Sequence, residues 1–267
     1  MNNQTNRDFV VIVVDDCSDD YNELEMVIED FSERLTIKYY RLKVHSNGAA
    51  ARNYGIMKVR TPYVCFLDAD DHWVCNRIEL AYCSIERAGK EDLLEYSCYK
   101  ISPTGYISPK RKIREDELVS EYVFFHDMSM QTSTFLMSSV VARSVLFDET
   151  LSRHQDSSFM MRAQDMGYSI SFREDIINNY VISNIDFRNR VLTGRISTQF
   201  CNEFLKNYQK YFSLNAELGY LFNVYLRVAL IERSGLIAVT KRLLSYGQIG
   251  DLLLLIYLKL RKRFDRI

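Results

Sequence analysis

The chain has only three prolines among 267 residues and a formal net charge of −1. Few prolines, together with a hydrophobic content of 47%, argue against long disordered stretches and leave ample material for a packed core. The near-neutral balance excludes a dedicated nucleic-acid binder, whose phosphate contacts need a strong basic excess. None of the six cysteines (Cys17, Cys65, Cys75, Cys83, Cys98, Cys201) forms a C-x-x-C pair, and no histidine stands at zinc-site spacing beside them. Reduced thiols in a cytoplasmic protein are therefore expected. The opening residues, Met1 to Asp8, contain no apolar core of a signal peptide. The longest apolar run near the other end, Leu252 to Leu258, is far short of the roughly 20 residues that span a bilayer.

What is present is unevenly distributed. From Arg188 onward the chain carries 14 Lys/Arg against 5 Asp/Glu, whereas the preceding 187 residues carry 20 against 30. An acidic front suits cation-assisted chemistry, and a basic tail suits an anionic surface. Apolar, β-branched runs at Phe9–Val14 and Pro62–Leu67 predict buried parallel strands, with a further strand at Ile37–Val44. Helical spacing predicts helices at Tyr21–Leu35, Asn47–Val59 and Asn76–Ala88. This alternation is the α/β pattern. Further on, Leu94–Ile101 and Tyr106–Ser108 flank Pro103-Thr104-Gly105 as a hairpin. Short strands are expected at Thr132–Met137, Ser169–Phe172 and Ile176–Ile182, and a helix at Ser157–Met166. From about Ile196 the pattern is wholly helical.

Two predicted strands end in carboxylates, Asp15-Asp16 and Asp68-Ala69-Asp70-Asp71. Ligands of open α/β sheets sit beyond the carboxyl ends of the strands. Carboxylates gathered there repel one another, and a hard divalent cation, Mg²⁺ or Mn²⁺, relieves the repulsion and can bridge two phosphates. Each cluster could instead cap the helix that follows it. Two clusters after two apolar strands favour a site.

At these residues the sequence resembles glycosyltransferase family 2. Val14-Asp15-Asp16-Cys17-Ser18 is similar to the family's V-D-D-x-S strand end. Asn47-Gly48-Ala49-Ala50-Ala51-Arg52-Asn53-Tyr54-Gly55 approximates its Gly-rich A-R-N-x-G helix. Phe66-Leu67-Asp68-Ala69-Asp70-Asp71-His72-Trp73 follows its F-L-D-x-D-D-x-W. The likeness runs from about Asn3 to Ile182. It implies a GT-A fold, a Rossmann-like nucleotide-diphospho-sugar transferase with a mixed central sheet over residues 1–190 and a helical, basic region over 191–267. It further implies an inverting, metal-dependent transfer from a nucleotide-diphosphate sugar, with a UDP-linked donor expected, to a saccharide or lipid-linked saccharide acceptor in surface-glycan synthesis.

The resemblance also assigns roles. Asp16 would recognise the nucleotide base, and Asp68 and Asp70 would hold ribose and metal, with Asp70 the direct ligand. Arg52 would stand near the nucleotide, or be a solvated helix residue. Arg153-His154-Gln155-Asp156 resembles the family's acidic motif beside the acceptor, although Gln155 stands where Glu is common. Asp156 would be the general base that takes the acceptor hydroxyl proton; a first-turn carboxylate favoured by the helix dipole is the alternative. Gln131-Thr132-Ser133-Thr134-Phe135 resembles the floor of the acceptor site. Arg195, in Gly194-Arg195-Ile196-Ser197, would reach the diphosphate or be surface charge.

Relative to the family, a first strand and helix are expected to be missing ahead of Asn3, with the strand lying between those at Phe9–Val14 and Pro62–Leu67. Such a gap leaves ladder groups unpaired and opens one wall of the base pocket. The basic tail, Leu221–Leu260, would lie peripherally on the inner face of the cell membrane or pack on the catalytic domain. Two other functions fit parts of the pattern: a nucleotide-sugar-binding relic, and a haloacid-dehalogenase-type phosphatase, whose motif His72 breaks.

Overall fold

The computed structural model describes residues 1–89, 92–181, 191–192, 196–235 and 242. The first apolar run forms strand β1 (Val10–Asp15), which pairs in parallel with β2 (Thr36–Arg41) from Val10↔Thr36 to Asp15↔Arg41. Helix α1 (Tyr21–Ser32) joins them. Helix α2 (Gly48–Lys58) starts at Asn47, whose side chain accepts from the N–H groups of Ala49 and Ala50. It packs on the face of β1 that carries Ile12 and Val14, and a Cβ at Gly55 would already touch Val14.

The remaining strands form a separate mixed sheet. These are β3 (Tyr63–Cys65), β4 (Asp71–Trp73), β5 (Leu94–Ser102), β6 (Tyr106–Ser108), β7 (Leu136–Ser138) and β8 (Ser171–Val181). Their order is β3-β7-β5-β8-β4, with β6 hydrogen-bonded to β5 beside this path. Strand β5 lies centrally and is buried from Leu94 to Tyr99. Helix α3 (Arg77–Ala88) ends where Gly89 turns left-handed. Helices α4 (Ser139–Val145) and α5 (Gln155–Asp165) follow β7.

The predicted strand at Thr132–Met137 is replaced by a 3₁₀ turn at Thr132–Thr134 and the short β7, because the polar side chains of Gln131 and Ser133 bond to Asp71 rather than leaving the backbone extended. The strands expected at Ser169–Phe172 and Ile176–Ile182 are one, β8, with its register against β5 shifted around Cys98. That irregularity accommodates Arg173, which bonds to Ser84 and Glu95 in the interior.

Helices α6 (Thr198–Asn207), α7 (Leu214–Tyr220) and α8 (Leu226–Glu232) share one hydrophobic core with α4 and α5. A π-type turn at Leu221–Tyr225 joins the last two. A second, at Glu121–Phe125, lies so close to α7 that a Cβ at Gly219 would fall 2.4 Å from the Phe124 carbonyl oxygen. Much of the tail region Leu221–Leu260, and Arg195, lie outside the described residues. Among the described residues no helix is long and apolar enough to cross a membrane.

Among the described residues the two sheets are not bonded to each other: β1 pairs with β2, and β3 lies at one end of the larger sheet. An apolar slot of about 560 Å³ opens beside β1, lined by Val11, Val13, Leu24, Ile28, Phe31 and Trp73 among others. Helix α1 has no buried residue, and Val27 and Met26 are more than half exposed.

Candidate active site

Asp15 and Asp16 close β1 with opposite orientations. Asp15 turns inward and accepts from the Ser18 N–H (2.9 Å) and Arg41 Nε (2.9 Å). Burial pushes its carboxyl up, but these bonds prevail and hold it below the ordinary aspartate value. Asp16 turns toward the loop before α2, where the Ser46 N–H donates to Oδ1 at 2.9 Å. His45 Nδ1 lies 2.9 Å from the Asp16 carbonyl oxygen and 3.2 Å from its carboxylate. Both neighbours are acceptors, so Nδ1 carries the proton. Neither cluster caps a helix with its side chains: Asp20, before α1, and Asn76, before α3, make no side-chain cap bond.

After β3 the chain passes Asp68, Ala69 and Asp70 and enters β4 at Asp71. The Asp68 N–H donates to Ser133 Oγ at 2.9 Å, and Ser133 Oγ donates in turn to Asp71 Oδ2 at 2.5 Å. Gln131 Nε2 also donates to Asp71 Oδ2, and Gln131 Oε1 accepts from Asn178 at 2.8 Å. Trp73 Nε1 bonds to the Ser133 carbonyl (2.8 Å). The polar turn expected as an acceptor floor thus holds the backbone of the acidic loop. Burial pushes the Asp71 carboxyl up, against the bonds from Ser133 and Gln131 and with the nearby Asp68 charge. Asp70 remains exposed.

Arg52, on α2, reaches across this loop. Its Nη2 pairs with Asp68 Oδ1 at 2.5 Å, and its Nη1 donates to Gln155 Oε1 at 2.8 Å. Its guanidinium also faces the Phe147 ring at 5.4 Å. It is therefore bound at the site rather than solvated. Gln155 opens α5, and the next residue is Asp156, whose carboxylate accepts from the Ser157 N–H at 2.7 Å. Burial pushes the Asp156 carboxyl up; Ser157, Arg153 and Arg52 oppose this, and Asp68 adds to it. Arg52, Asp68, Gln155 and Asp156 thus belong to one cluster, and Asp70 follows Asp68 by two residues in the acidic loop.

Helix α5 is anchored from behind. His154 takes a left-handed backbone (φ 60°), and its ring packs against Phe124, Phe200, Phe204 and Tyr220. Burial pushes its imidazole down to about 3. Arg162 donates to the carbonyls of Val145 and Leu146, fixing the other end of the same helix to α4.

The sequence reading missed Asn178 and the bridging role of Gln155. Asn178 carries no signal beyond a polar residue in an apolar strand. Gln155 announced itself only as a departure from the expected Glu. Arg195 lies outside the described residues. Among the described residues no three His, Cys, Asp or Glu side chains gather as a metal cage. Asp68 and Asp70 still offer hard oxygens two residues apart in the acidic loop. That donor set fits Mg²⁺ or Mn²⁺, which use one or two carboxylates and complete their shells with phosphate oxygens and water.

Residues 1–134 match the profile of glycosyl transferase family 2, half of the chain, and the protein belongs to that family. Its sequence is 35% identical over 189 residues to the amylovoran biosynthesis glycosyltransferase AmsB of Erwinia amylovora, covering 67% of this chain and 62% of that protein. The chain therefore spans less than two thirds of that relative's length. Among solved structures it is similar to residues 1–349 of S. aureus TarS in complex with UDP (TM-score 0.53, 19% identity, 86% of this chain and 76% of the other). It is also similar to the mannosyltransferase PcManGT from Pyrobaculum calidifontis with GDP-Man and Mn²⁺ (TM-score 0.59, 15% identity, 96% and 72%). At these identities the likeness concerns the fold, which is GT-A. Family membership removes the phosphatase alternative.

Proposed function

We propose that the protein transfers a sugar, with inversion, from a UDP-linked donor to a saccharide or lipid-linked saccharide acceptor in the synthesis of a surface polysaccharide. The observation that carries this reading is Arg52, which spans Asp68 at the end of β3 and Gln155 at the start of α5. It ties the acidic loop to the first turn of the helix that carries the candidate base. Two relatives support the substrate class: AmsB is named for amylovoran biosynthesis, and TarS was solved with UDP.

In this reading Asp16 receives the nucleotide base and Asp68 the ribose. Asp70, with Asp68, would hold Mg²⁺ or Mn²⁺, which when bound neutralises the diphosphate as a leaving group. Asp156 takes the proton of the acceptor hydroxyl as that oxygen attacks the anomeric carbon. The bond from that carbon to the diphosphate oxygen breaks on the opposite face, and its electron pair leaves with the diphosphate. The raised Asp156 carboxyl makes a stronger base than an exposed aspartate. Arg195 would reach the same diphosphate. The basic residues of the C-terminal region, 191–267, would meet the inner face of the membrane.

The test is UDP release from a panel of UDP-sugars in the presence of membrane-derived lipid-linked saccharides. Acceptor-dependent release is expected, and Asp156→Asn should abolish it while leaving UDP binding intact. Near-normal turnover in that variant discards the base assignment. UDP binding without turnover in the unaltered chain would favour the sugar-binding relic.

A further inference from the structure

Gln155 stands next to the candidate base and touches the arginine that holds the acidic loop. Its side-chain oxygen accepts from Arg52 Nη1 at 2.8 Å, and its Nε2 donates to the Leu151 carbonyl at 2.7 Å. Arginine only donates and a carbonyl only accepts, so these two partners permit a single orientation of the amide. A glutamate could satisfy Arg52 but would turn an oxygen against the Leu151 carbonyl. It would also compete with Asp68 for the guanidinium charge. The amide is thus chemically selected: it holds the cation without neutralising it. The space for this arrangement comes from Gly48, where a Cβ would lie 3.0 Å from Arg52 Nη1.

We infer that Gln155 is a positioning residue that ties Arg52 to the first turn of α5, so that occupation of the donor side at Asp68 is transmitted to the placement of Asp156. This rests on the transferase reading above. The geometry needs no movement of the sheet. A phosphate drawn to Arg52 shifts the guanidinium, and the guanidinium carries the Gln155 amide and the first turn of α5 with it. Leu151 limits the range of that motion, because it holds the other end of the amide.

Gln155→Met keeps the length and helix preference of the side chain and removes both bonds. It is expected to lower kcat roughly ten-fold, the loss of one hydrogen bond to a charged group, with the donor KM within about two-fold. Arg52→Ala should damage both constants. The double variant should be no worse in kcat than Arg52→Ala, because the two residues act through one contact. Gln155→Glu should fail to restore kcat. Unchanged kcat in Gln155→Met, or losses that multiply in the double variant, would overturn the inference. A second readout does not need turnover: the ¹³C signal of the Asp156 carboxyl on addition of UDP and Mg²⁺. It should move in the unaltered protein and stay still in Gln155→Met. A response in the unaltered protein without any transfer would refute the catalytic reading but keep the coupling. Equal responses in both proteins would refute the coupling alone. Absence of UDP binding would refute both.

Discussion

Replacing Ser133 by alanine removes one hydroxyl that serves two neighbours. Its oxygen accepts from the Asp68 N–H at 2.9 Å and donates to Asp71 Oδ2 at 2.5 Å, and the residue is fully buried. Leaving a buried N–H unpaired costs about 1–3 kcal/mol, and a lost bond to a charged acceptor costs about 1.5–3 kcal/mol. Gln131 still bonds to the same carboxylate oxygen, so part of the second loss is recovered. The sum is about 3 kcal/mol. For a chain of this size that lowers Tm by roughly 6–10 °C, readable by thermal unfolding. The loss depends on pH with a definite sign. The folded-state carboxyl of Asp71 is raised by burial, so its stabilising contribution is fully present below the ordinary aspartate value and is lost as pH rises through the raised value. Without Ser133 the carboxylate form is held less well still. The deficit of the variant should therefore widen from acid toward neutral pH. UDP affinity should fall as well, because Asp68 loses the backbone tether that fixes the acidic loop. An unchanged Tm at neutral pH, or a deficit that shrinks as pH rises, would refute this account of the loop.

Three further outcomes are expected. The His154 ring should stay neutral from pH 5 to 8, visible as ¹⁵N shifts that do not change; titration near the ordinary histidine value would contradict its burial in the aromatic cage. The rate of transfer should fall with acid at a pH above that of an ordinary aspartate, because burial raises the Asp156 carboxyl and the base acts only when ionised; an acid limb that matches an exposed aspartate would refute this. The slot beside β1 should bind the apolar dye ANS in the native protein, and Val13→Lys should abolish the fluorescence with little change in Tm; a dye signal that survives would place the apolar surface elsewhere.

The frame of the site was legible because it depends on local patterns. Apolar β-branched runs ending in carboxylates located the ends of β1 and the segment after β3. Alternation of strand and helix then gave the fold class. What stayed hidden depends on contacts distant along the chain. Thr132–Thr134 became a 3₁₀ turn because Gln131 and Ser133 bond to Asp71, some 60 residues earlier, and no local propensity encodes that. The continuity of β8 past its charged stretch rests on Arg173 finding Glu95 and Ser84 inside. Likewise the difference between Asp15, which turns inward to Arg41, and Asp16, which turns to Ser46, is invisible in two adjacent identical letters.

The proposed arrangement of Asp16, Asp68, Asp70 and Asp156 around one donor site is tested most directly by a crystal structure of this chain with UDP and Mn²⁺. The expected result is an anomalous manganese peak beside Asp70, with uracil against Asp16 and the diphosphate facing Asp156. Manganese and nucleotide bound away from these carboxylates, or no nucleotide at saturating concentration, would contradict it.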